Sequence, residues 1–508
     1  MTARRFFGPA APAAVSRPPT TSVRRPRLLA ALALAVRRAT TSACWPRSFA
    51  ALAAATLLLT ATVVTAPAHA WRSVAQDSAI GAPGGDDVGV MPAGSTDQTE
   101  SDSAGDPNQR QLLVMLRLPA THYRPDATYG GRYMDDNGNG ARRRRAEALA
   151  RQHGLTVVEG WAMSLLGIDC YVMQYGDHAD PHLLIEQLSR DPQVEWAQSV
   201  ARFDGLALVP DSAAADAADA LYQVQPAARY WHVADLHRHA TGREVRVAVV
   251  DSGIDGEHPD LAGQLAVNTN FVDAGPPPPE LHGTAVAGII AARSGNGGIV
   301  GVAPRAKLMG LRACWQTNLQ RTRCNSFTLS KALNYAILNN AKIINLSLSG
   351  PPDKLLDRLL DVALERGISV VGAIDPQNNG PAFPASHRGV MAVAAQPRPG
   401  VAPTVIAATR SGTESGLLAP GNDIPTTSPG ARWSFVNGSS YAAAHVSGML
   451  ALLEELRPDA SPTQLRTMLQ PADMVKTANI DACATISRLI RQCSCTCPVP
   501  AIQRAPVP

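Results

Sequence analysis

Apolar runs and amphipathic stretches alternate along the middle of the chain in two successive patterns. The first predicts four strands and two helices, namely strands at 112–116, 155–158, 170–175 and 194–196 and helices at 142–153 and 183–189. In chain order these elements run β-α-β-β-α-β over about 90 residues, which is the order of a small ferredoxin-like domain. We therefore expect an α+β domain at 109–205.

The second pattern is longer and opens with a β-rich run that ends at Asp251. It predicts five strands and four helices, namely strands at 245–250, 307–311, 343–348, 368–373 and 390–394 and helices at 283–292, 330–339, 354–366 and 440–456. Because strands alternate with helices, we expect a parallel sheet covered on both faces, with functional residues where the strands end. This α/β domain is predicted at 223–475, after an Ala- and Asp-rich junction at 206–222.

The N-terminal segment predicts export. Residues 1–70 contain nine arginines and neither lysine nor an acidic residue, and an uncharged run at 48–66 leads into Ala68-His69-Ala70. A basic flank, an apolar run and small residues before the cleavage site are typical of a secretion signal peptide. The alternative is a membrane anchor, because the run approaches the roughly 20 residues needed to cross a bilayer. Its alanine and threonine content and the adjacent cleavage site favour the signal peptide.

We therefore expect a secreted or periplasmic protein with no stable membrane span after signal cleavage. A disordered linker is expected at 71–108, where Gly, Asp, Ser and Pro leave little to bury. The formal net charge of +4 originates in the signal peptide, whose nine arginines exceed it. The mildly acidic remainder gives no support for a nucleic-acid partner.

The cysteines indicate disulfides. Six of the eight cysteines follow residue 300, and an even number in an exported chain favours pairing. Cys314 and Cys324 enclose a polar loop and are expected to pair. Three connectivities remain for the cysteines of a Cys- and Pro-rich tail at 476–508, namely Cys483, Cys493, Cys495 and Cys497. The tail could instead hold a metal, but it lacks histidine, so disulfides are favoured.

Three short segments supply the groups that peptide hydrolysis by a serine needs: a hydroxyl nucleophile, a base, and a carboxylate that orients the base. Asp251 follows an apolar strand in Val-Val-Asp-Ser-Gly-Ile-Asp. His282 opens a helix in His-Gly-Thr-Ala-Val-Ala-Gly, and Ser440 opens another in Gly-Ser-Ser-Tyr-Ala-Ala-Ala-His. Alone, each has an ordinary explanation as a turn, cap or surface residue. Together, in the order Asp, His, Ser, they match one of three known chain orders of the catalytic triad.

These segments resemble the active-site blocks of the subtilisin-like serine protease (subtilase) family, and 301–306 and 344–348 resemble further family segments. The domain at 109–200 is similar in pattern to the family's inhibitory propeptide. The resemblance implies a subtilisin-like α/β fold, with a parallel sheet and helices on both faces, preceded by a small α+β ferredoxin-like propeptide domain. It also implies a secreted serine endopeptidase that hydrolyses protein or peptide substrates through an acyl-enzyme. The precursor is expected to cut itself within 206–222, with its own propeptide as an intramolecular inhibitor.

The resemblance assigns roles residue by residue. Ser440 attacks the scissile carbonyl, His282 accepts the proton and returns it to the leaving amine, and Asp251 fixes the tautomer of His282. The N–H of Ser440 lies at a helix N-terminus and is a natural donor to the oxyanion. The substrate is expected to pair as an extra strand with an exposed edge, formed by Ser347, Leu348, Ser349 and Gly350.

Two positions depart from the family pattern. Ala444 stands in the helix after Ser440 where the family has proline, and alanine is the better helix former. The family's oxyanion asparagine falls on Asp375 or Pro376, with Asn378 as the other candidate. An ionised aspartate would repel the oxyanion, whereas a protonated one could donate to it. Loss of the family's asparagine donor lowers the rate about 10²–10³-fold, the figure measured for subtilisin itself. The departure motivates the alternative of a secreted subtilisin-fold pseudoenzyme or binding protein with little activity.

Two features leave alternatives open. The block Arg142-Arg143-Arg144-Arg145 on the first predicted helix is either a solvated face, which we favour, or a processing site for a trypsin-like enzyme. The triad chemistry requires no cofactor, and no metal ligands are assigned. A structural Ca²⁺ ion near Asn296, in the Gly-rich loop 294–298, is the alternative to ordinary loop chemistry. Loop chemistry is favoured because few carboxylates lie nearby.

Overall fold

The computed structural model describes seven segments of the chain, namely 110–118, 133–206, 221–295, 298–375, 382–397, 416–470 and 479–490, with only the backbone for 133–139. All of them belong to one unit of the chain, 98–508. The predicted signal peptide, the linker, and most of the junction and the tail lie outside the described residues. Within these segments, no helix is both long enough and apolar enough to cross a membrane.

Four antiparallel strands and two helices form the first domain, in the predicted order. They are β1 (Gln111–Arg117), α1 (Tyr133–Gln152), β2 (Thr156–Met163), β3 (Ile168–Gln174), α2 (Pro181–Ser189) and β4 (Val194–Ser199). The sheet has the order β2-β3-β1-β4, which places the buried strand β1 inside it. Asp180 caps α2 by accepting from the N–H of His182, and Pro181 occupies the first helical turn, where an N–H would have no partner.

The arginine block on α1 holds this helix to the sheet. Nε of Arg142 lies 3.3 Å from a carboxylate oxygen of Asp169 on β3. Arg145 donates to Oε1 of Gln193, just before β4, at 2.6 Å. The other two arginines of the block are exposed, as expected of a solvated face. The block therefore combines a docking contact with a solvated surface.

The second part of the chain carries the remaining elements. They are β5 (Arg202–Gly205), a 3-10 helix (Tyr222–Val224), α3 (Pro226–Tyr230), α4 (Val233–Leu236), β6 (Arg246–Asp251), β7 (Leu265–Asn270), α5 (Leu281–Ala291), β8 (Lys307–Arg312), β9 (Cys314–Gln316), β10 (Thr322–Asn325), α6 (Ser326–Leu338), β11 (Ile343–Leu346), β12 (Leu348–Ser349), α7 (Lys354–Glu365), β13 (Ser369–Ala373), β14 (Met391–Ala395), β15 (Leu417–Ala419), β16 (Ile424–Ser428), β17 (Arg432–Val436), α8 (Ser439–Leu456), α9 (Pro462–Leu469) and α10 (Ala482–Ile490). Seven strands form a parallel sheet of order β15-β14-β13-β11-β6-β8-β7. The predicted parallel α/β fold is confirmed.

Both faces of the parallel sheet are buried. Along β6, Val247 and Val249 join an apolar cluster with α5 and α8, whereas Ala248 and Val250 join another with α6 and α7. Because side chains alternate across a strand, a strand covered on both faces is apolar at successive positions. This burial explains the continuous apolar run that ends at Asp251.

Small residues allow α5 and α8 to pack closely in the core. A β-carbon at Gly288 of α5 would lie 2.2 Å from the hydroxyl oxygen of Thr427 on β16, so no larger residue fits there without movement. A β-carbon at Gly448 of α8 would lie 3.5 Å from the carbonyl oxygen of Ile290 of α5, so the glycine lets α8 approach the α5 main chain. α8 is buried throughout its first sixteen residues, which explains why it lacks a polar face. The helix runs unbroken through Ala444, where the family pattern has proline.

Several predicted elements have different bounds; the helix predicted at 142–153, for example, is α1 and begins at Tyr133. Hydrogen bonds explain two of the other differences. The predicted strand 343–348 divides into β11 and β12 at Ser347, whose carbonyl oxygen accepts from the hydroxyl of Ser440 and not from a strand. The predicted helix 330–339 begins earlier, as α6, because the side chain of Asn325 caps it by accepting from the N–H of Thr328 at 2.9 Å.

A disulfide between Cys314 and Cys324 closes the β9–β10 hairpin, which confirms the predicted pair. The two residues lie directly opposite each other in the antiparallel register, with Cα atoms 4.2 Å apart, and both are buried. Cys483 on α10 is also disulfide-bonded. The three cysteines that follow it lie outside the described residues.

We expect removal of this bridge to destabilise the protein. It closes a loop of nine residues, and in the chain-entropy model such a loop contributes roughly 2–3 kcal/mol. Paired Cys314→Ala and Cys324→Ala substitutions, in a Ser440→Ala background that removes the predicted nucleophile, should lower the free energy of unfolding in urea by about this amount. Cys170→Ala, at a buried free cysteine, controls for thiol loss alone. Equal stability of the paired variant and its parent would contradict the prediction.

Candidate active site

Asp251 and His282 form a buried pair. Asp251 is the last residue of β6, inside the parallel sheet, and His282 is the second residue of α5. Nδ1 of His282 donates to Oδ1 of Asp251 at 2.7 Å, and the side chains are 6% and 2% exposed. Because a carboxylate has no proton to donate, the proton of this bond resides on Nδ1. In this tautomer, Nε2 is the acceptor nitrogen.

Ser440 lies at the start of α8, beside this pair. The turn before it depends on Gly438, whose φ of 143° favours glycine. The ring of Tyr441, the next residue, lies 5.7 Å from the ring of His282. Burial raises the pKa of Tyr441, and the negative charge of Asp251 adds to the shift, so the phenol stays neutral. The structure thus brings the three predicted triad residues together at one edge of the sheet.

A buried network ties the start of α8 to the end of β11. The hydroxyl of Ser440 donates to the carbonyl oxygen of Ser347 at 2.9 Å, and the hydroxyl of Ser347 donates to the carbonyl oxygen of Ser440 at 3.0 Å. Asn345 donates to the Ser347 hydroxyl and accepts from Ser447 of α8, both at 2.8 Å. Among the described residues, Nε2 of His282 has no hydrogen-bond partner. The network therefore fixes the main chain at Ser440 while Nε2 is left available.

A second buried charge pair braces the segment that carries the histidine. Oε2 of Glu280 accepts from Nε of Arg312 at 3.0 Å and from the N–H of Gly253 at 2.6 Å. Oε1 accepts from Nη2 of Arg312 at 3.2 Å and from the N–H of Gln316 at 3.0 Å. Burial lowers the pKa of Arg312, but the hydrogen bonds to its carboxylates outweigh it, and the pKa lies above its usual value. The pair therefore joins the ends of β6 and β8 to the first turn of α5.

This pair was not predicted. The available signal is Arg312, a charge that directly follows the apolar strand 307–311; a charged residue in a buried strand requires a buried partner. Nothing in the sequence identifies Glu280 as that partner, because the two residues are 32 positions apart.

The predicted substrate edge is paired with the chain's own strand β5. This strand lies between β12 and β10 in a small sheet of order β12-β5-β10-β9. Gly205 is opposite Leu348 and Asp204 is opposite Ser349 in an antiparallel register, and β10 pairs along the other side. The sequence did not predict β5, because a four-residue segment with two charged residues has no apolar pattern.

The end of β5 leads to the start of α8. Phe203 is fully buried with its ring centroid 5.6 Å from that of Phe383, and a β-carbon at Gly350 would lie 2.2 Å from its ring. Beyond the strand, the N–H of Ser440 donates to the carbonyl oxygen of Leu206 at 3.4 Å. A peptide carbonyl of the chain is therefore held at the N-terminus of α8.

Of the two candidates for the oxyanion donor, Asp375 and Asn378, the structure describes only Asp375. Asp375 is half-buried and lies two residues beyond β13, at the same edge of the sheet as Asp251. Asn378 lies outside the described residues, as does Pro376. The structure therefore places Asp375 near the site and makes no choice between the two candidates.

The predicted calcium loop is only partly described, since Asn296 lies outside the described residues. Beside the loop, Oδ2 of the buried Asp260 accepts from the N–H of Ile299 at 3.1 Å and from Nε1 of Trp433 at 2.8 Å. In the described part of the chain, no three His, Cys, Asp or Glu side chains are grouped as a metal site requires.

Comparison with known proteins gives the family. A sequence model of the Subtilase family matches residues 242–482. The major intracellular serine protease of Bacillus subtilis (strain 168) is 32% identical over 260 residues, which cover 48% of this chain and 80% of that protein. The chain belongs to the subtilase family.

Other relatives agree. The thermophilic serine proteinase of Bacillus sp. (strain AK1) is 34% identical over 277 residues, which cover 53% of this chain and 65% of that protein. Subtilisin E of Bacillus subtilis (strain 168) is 34% identical over 240 residues, which cover 45% of this chain and 60% of that protein. The chain thus spans less than two thirds of these two proteins. The crystal structure of fervidolysin from Fervidobacterium pennivorans, a keratinolytic enzyme related to subtilisin, matches with a TM-score of 0.57 over 74% of this chain and 60% of that chain. At 21% identity, this likeness supports the fold alone.

As a subtilase, the protein is a serine-type endopeptidase, as predicted. The alternative of a subtilisin-fold binding protein with little activity finds no support in these comparisons, since the relatives named above are proteases or proteinases.

The subtilase site predicts a strong effect of Glu280→Gln. The substitution keeps the shape of the side chain but leaves the Arg312 charge without its buried partner, which typically costs about 3–5 kcal/mol of folding free energy. We expect this loss in urea unfolding, together with a lower kcat, because the first turn of α5 carries His282. Asp273→Asn is the matched control: Asp273 also pairs with Arg312 but is 58% exposed, so its loss should cost at most about 1 kcal/mol. Equal losses in the two variants would show that Glu280 has no special role.

The oxyanion candidates predict opposite effects on kcat. If the Asp375 side chain faces the oxyanion, Asp375→Asn adds a neutral donor and should raise kcat near neutral pH by up to about 10²–10³, the contribution of one donor. Asn378→Ala should then have little effect. An unchanged kcat in Asp375→Asn together with a sharp loss in Asn378→Ala would assign the donor to Asn378.

Proposed function

We propose that this chain is the precursor of an exported subtilase that cleaves its own bond between Leu206 and Ala207. The observation that carries the proposal is the carbonyl oxygen of Leu206, which accepts from the N–H of Ser440 while β5 pairs with β12 as a substrate strand would. A carbonyl held at a helix N-terminus beside a buried Asp-His pair has the surroundings that acyl transfer needs. The bond lies at the start of the predicted junction 206–222.

In the proposed reaction, the hydroxyl of Ser440 turns from its main-chain acceptor to Nε2 of His282. Nε2 takes the proton as Oγ bonds to the carbonyl carbon of Leu206, and Asp251 stabilises the imidazolium through Nδ1–H. The imidazolium then protonates the nitrogen of Ala207, the C–N bond breaks, and Leu206 remains as an acyl ester on Ser440. A water molecule that gives its proton to the same histidine hydrolyses the ester and restores the serine.

The negative charge on the carbonyl oxygen requires at least two donors in this scheme. The N–H of Ser440, supported by the α8 dipole, is the first. We assign the second to Asp375 in its protonated form or to Asn378. Every step uses groups of the chain and water, so the scheme requires no cofactor.

The first domain is proposed to remain bound after cleavage as an intramolecular inhibitor. Gln198 donates at 2.9 Å to Oδ2 of Asp353, the residue that caps α7, and the Trp196 ring lies 4.9 Å from Nζ of Lys354. One apolar cluster also spans both domains. It includes Leu113, Met115 and Trp196 from the first domain and Phe327 and Leu355 from α6 and α7. These contacts and the paired β5 would keep other substrates out of the cleft.

The mature enzyme is proposed to act outside the cytoplasm, in a periplasm or the medium. The signal-like segment at 1–70 and the Cys314–Cys324 bridge support this location, since disulfides persist in oxidising compartments. Its substrates would be proteins and peptides that present an extended segment to β12 and β10, where main-chain hydrogen bonds supply the affinity.

Ser440→Ala tests this proposal. In an expression host that lacks other proteases, the variant should accumulate as the uncleaved precursor, whereas the wild type should yield a mature chain whose N-terminal sequence begins at Ala207. Ser439→Ala, which removes the neighbouring hydroxyl, is the matched control and should mature. Maturation of Ser440→Ala at the wild-type rate would defeat self-cleavage, and a different mature N-terminus would defeat the assignment of the bond.

A further inference from the structure

Gly205, the second residue before the proposed cleavage point, lies against two side chains of the site. A β-carbon built on it would be 2.9 Å from Cβ and 3.4 Å from Cγ2 of Thr322, and 3.6 Å from Cε1 of His282. Non-bonded carbon atoms are in best contact at about 3.5–4.0 Å. A side chain at position 205 therefore overlaps Thr322 unless one of the two strands moves.

The backbone does not require glycine at this position. Gly205 is absent from the described glycines with positive φ, and it pairs in an extended strand with Leu348. Any L-residue adopts such a conformation. The constraint at Gly205 is therefore one of space, and Thr322 imposes it.

The side chain of Thr322, which limits the space beside Gly205, is also fixed in place. Thr322 opens β10 and is 7% exposed, its main chain lies opposite Gln316 of β9, and the Cys314–Cys324 disulfide closes the hairpin two residues further on. A β-branched side chain has few rotamers with which to retreat. On the other side, the ring of His282 is held by Asp251.

We propose that the β9–β10 hairpin selects glycine at the second residue before the cleaved bond, and that Thr322 is the residue that determines this specificity. The inference rests on the proposed function, because it takes β5 as a bound substrate strand. The substrates it predicts are extended segments with glycine at this position, of which Phe203-Asp204-Gly205-Leu206 is the example in the chain itself.

Selection for a charged side chain at position 204, one residue before Gly205, is weaker than the selection for glycine. Arg323, next to Thr322, lies 3.8 Å from a carboxylate oxygen of Asp204, but the Asp204 side chain is 63% exposed. Ion pairs this exposed contribute little. Selection by this hairpin therefore depends mainly on the space at Gly205.

Two peptide substrates test the proposal on the mature enzyme: Phe-Asp-Gly-Leu and Phe-Asp-Ala-Leu, each acylated at its N-terminus and carrying p-nitroaniline as the leaving group. The wild type should prefer the glycine peptide in kcat/KM by roughly 10–200-fold, the range for one misfitting methyl group. Thr322→Gly removes the side chain that limits this space and should make the kcat/KM values of the two peptides nearly equal. Thr322→Ser keeps Cβ and should retain the preference for glycine.

The outcomes separate the two proposals. A wild type that cleaves both peptides equally overturns the glycine selection and leaves the endopeptidase standing. A wild type that cleaves neither, and whose precursor does not mature, overturns the proposed function and the selection with it. A glycine preference that persists in Thr322→Gly overturns the role of Thr322.

The precursor supplies a second test, should Thr322→Gly weaken the hairpin in the mature enzyme. Gly205→Ala should slow maturation by at least tenfold, in line with the loss expected of one misfitting methyl group. Adding Thr322→Gly to the same chain should restore the rate. Gly176→Ala is the matched control in the first domain, because a β-carbon there meets nothing within 4 Å. Normal maturation of Gly205→Ala would overturn the proposal.

Discussion

The packing of α5 against α8 on one face of the parallel sheet is the constraint on which the site depends. A sheet buried on both faces requires helices that cover it, and small residues such as Gly448, which lies against the α5 main chain at Ile290, let these two helices approach closely. Their first turns meet at the edge where β6 ends. His282 and Ser440 therefore lie beside Asp251 because of side chains buried far from the chemistry.

This arrangement buries the carboxylates of Asp251 and Glu280, and both are compensated by donors. Asp251 accepts from His282 and from the N–H of Ser252 at 2.7 Å. Glu280 accepts from Arg312 and from two main-chain N–H groups. A buried charge is tolerated only when such partners surround it, and each partner also restricts where the carboxylate can lie. The groups that satisfy these charges therefore also fix the position of the first turn of α5.

The parts of the site that could be predicted are those with local signals. A strand that ends in Asp251, small residues after His282 and Ser440, and alternating strands and helices are patterns of neighbouring residues, so the sequence was enough to find them. The position of β5 between β12 and β10 depends on pairings more than one hundred residues apart, and no period in the sequence reports them. The Glu280–Arg312 pair was not predicted for the same reason. Thr322 gave no signal in the sequence because its proposed role depends on its distance to Gly205.

The edge that binds substrate and the contact that inhibits the enzyme are the same surface in the proposed precursor. Without β5, the edges of β12 and β10 would present unpaired main-chain N–H and C=O groups that can bind another strand. β5 pairs with both edges at once. Cleavage after Leu206 changes no pairing of β5, and the first domain keeps the cut strand at high effective concentration. In the proposed precursor, hydrolysis of one bond would therefore not by itself open the cleft. Activity would await loss of the interface at α6 and α7, and the stability of the first domain would then control when the enzyme becomes active.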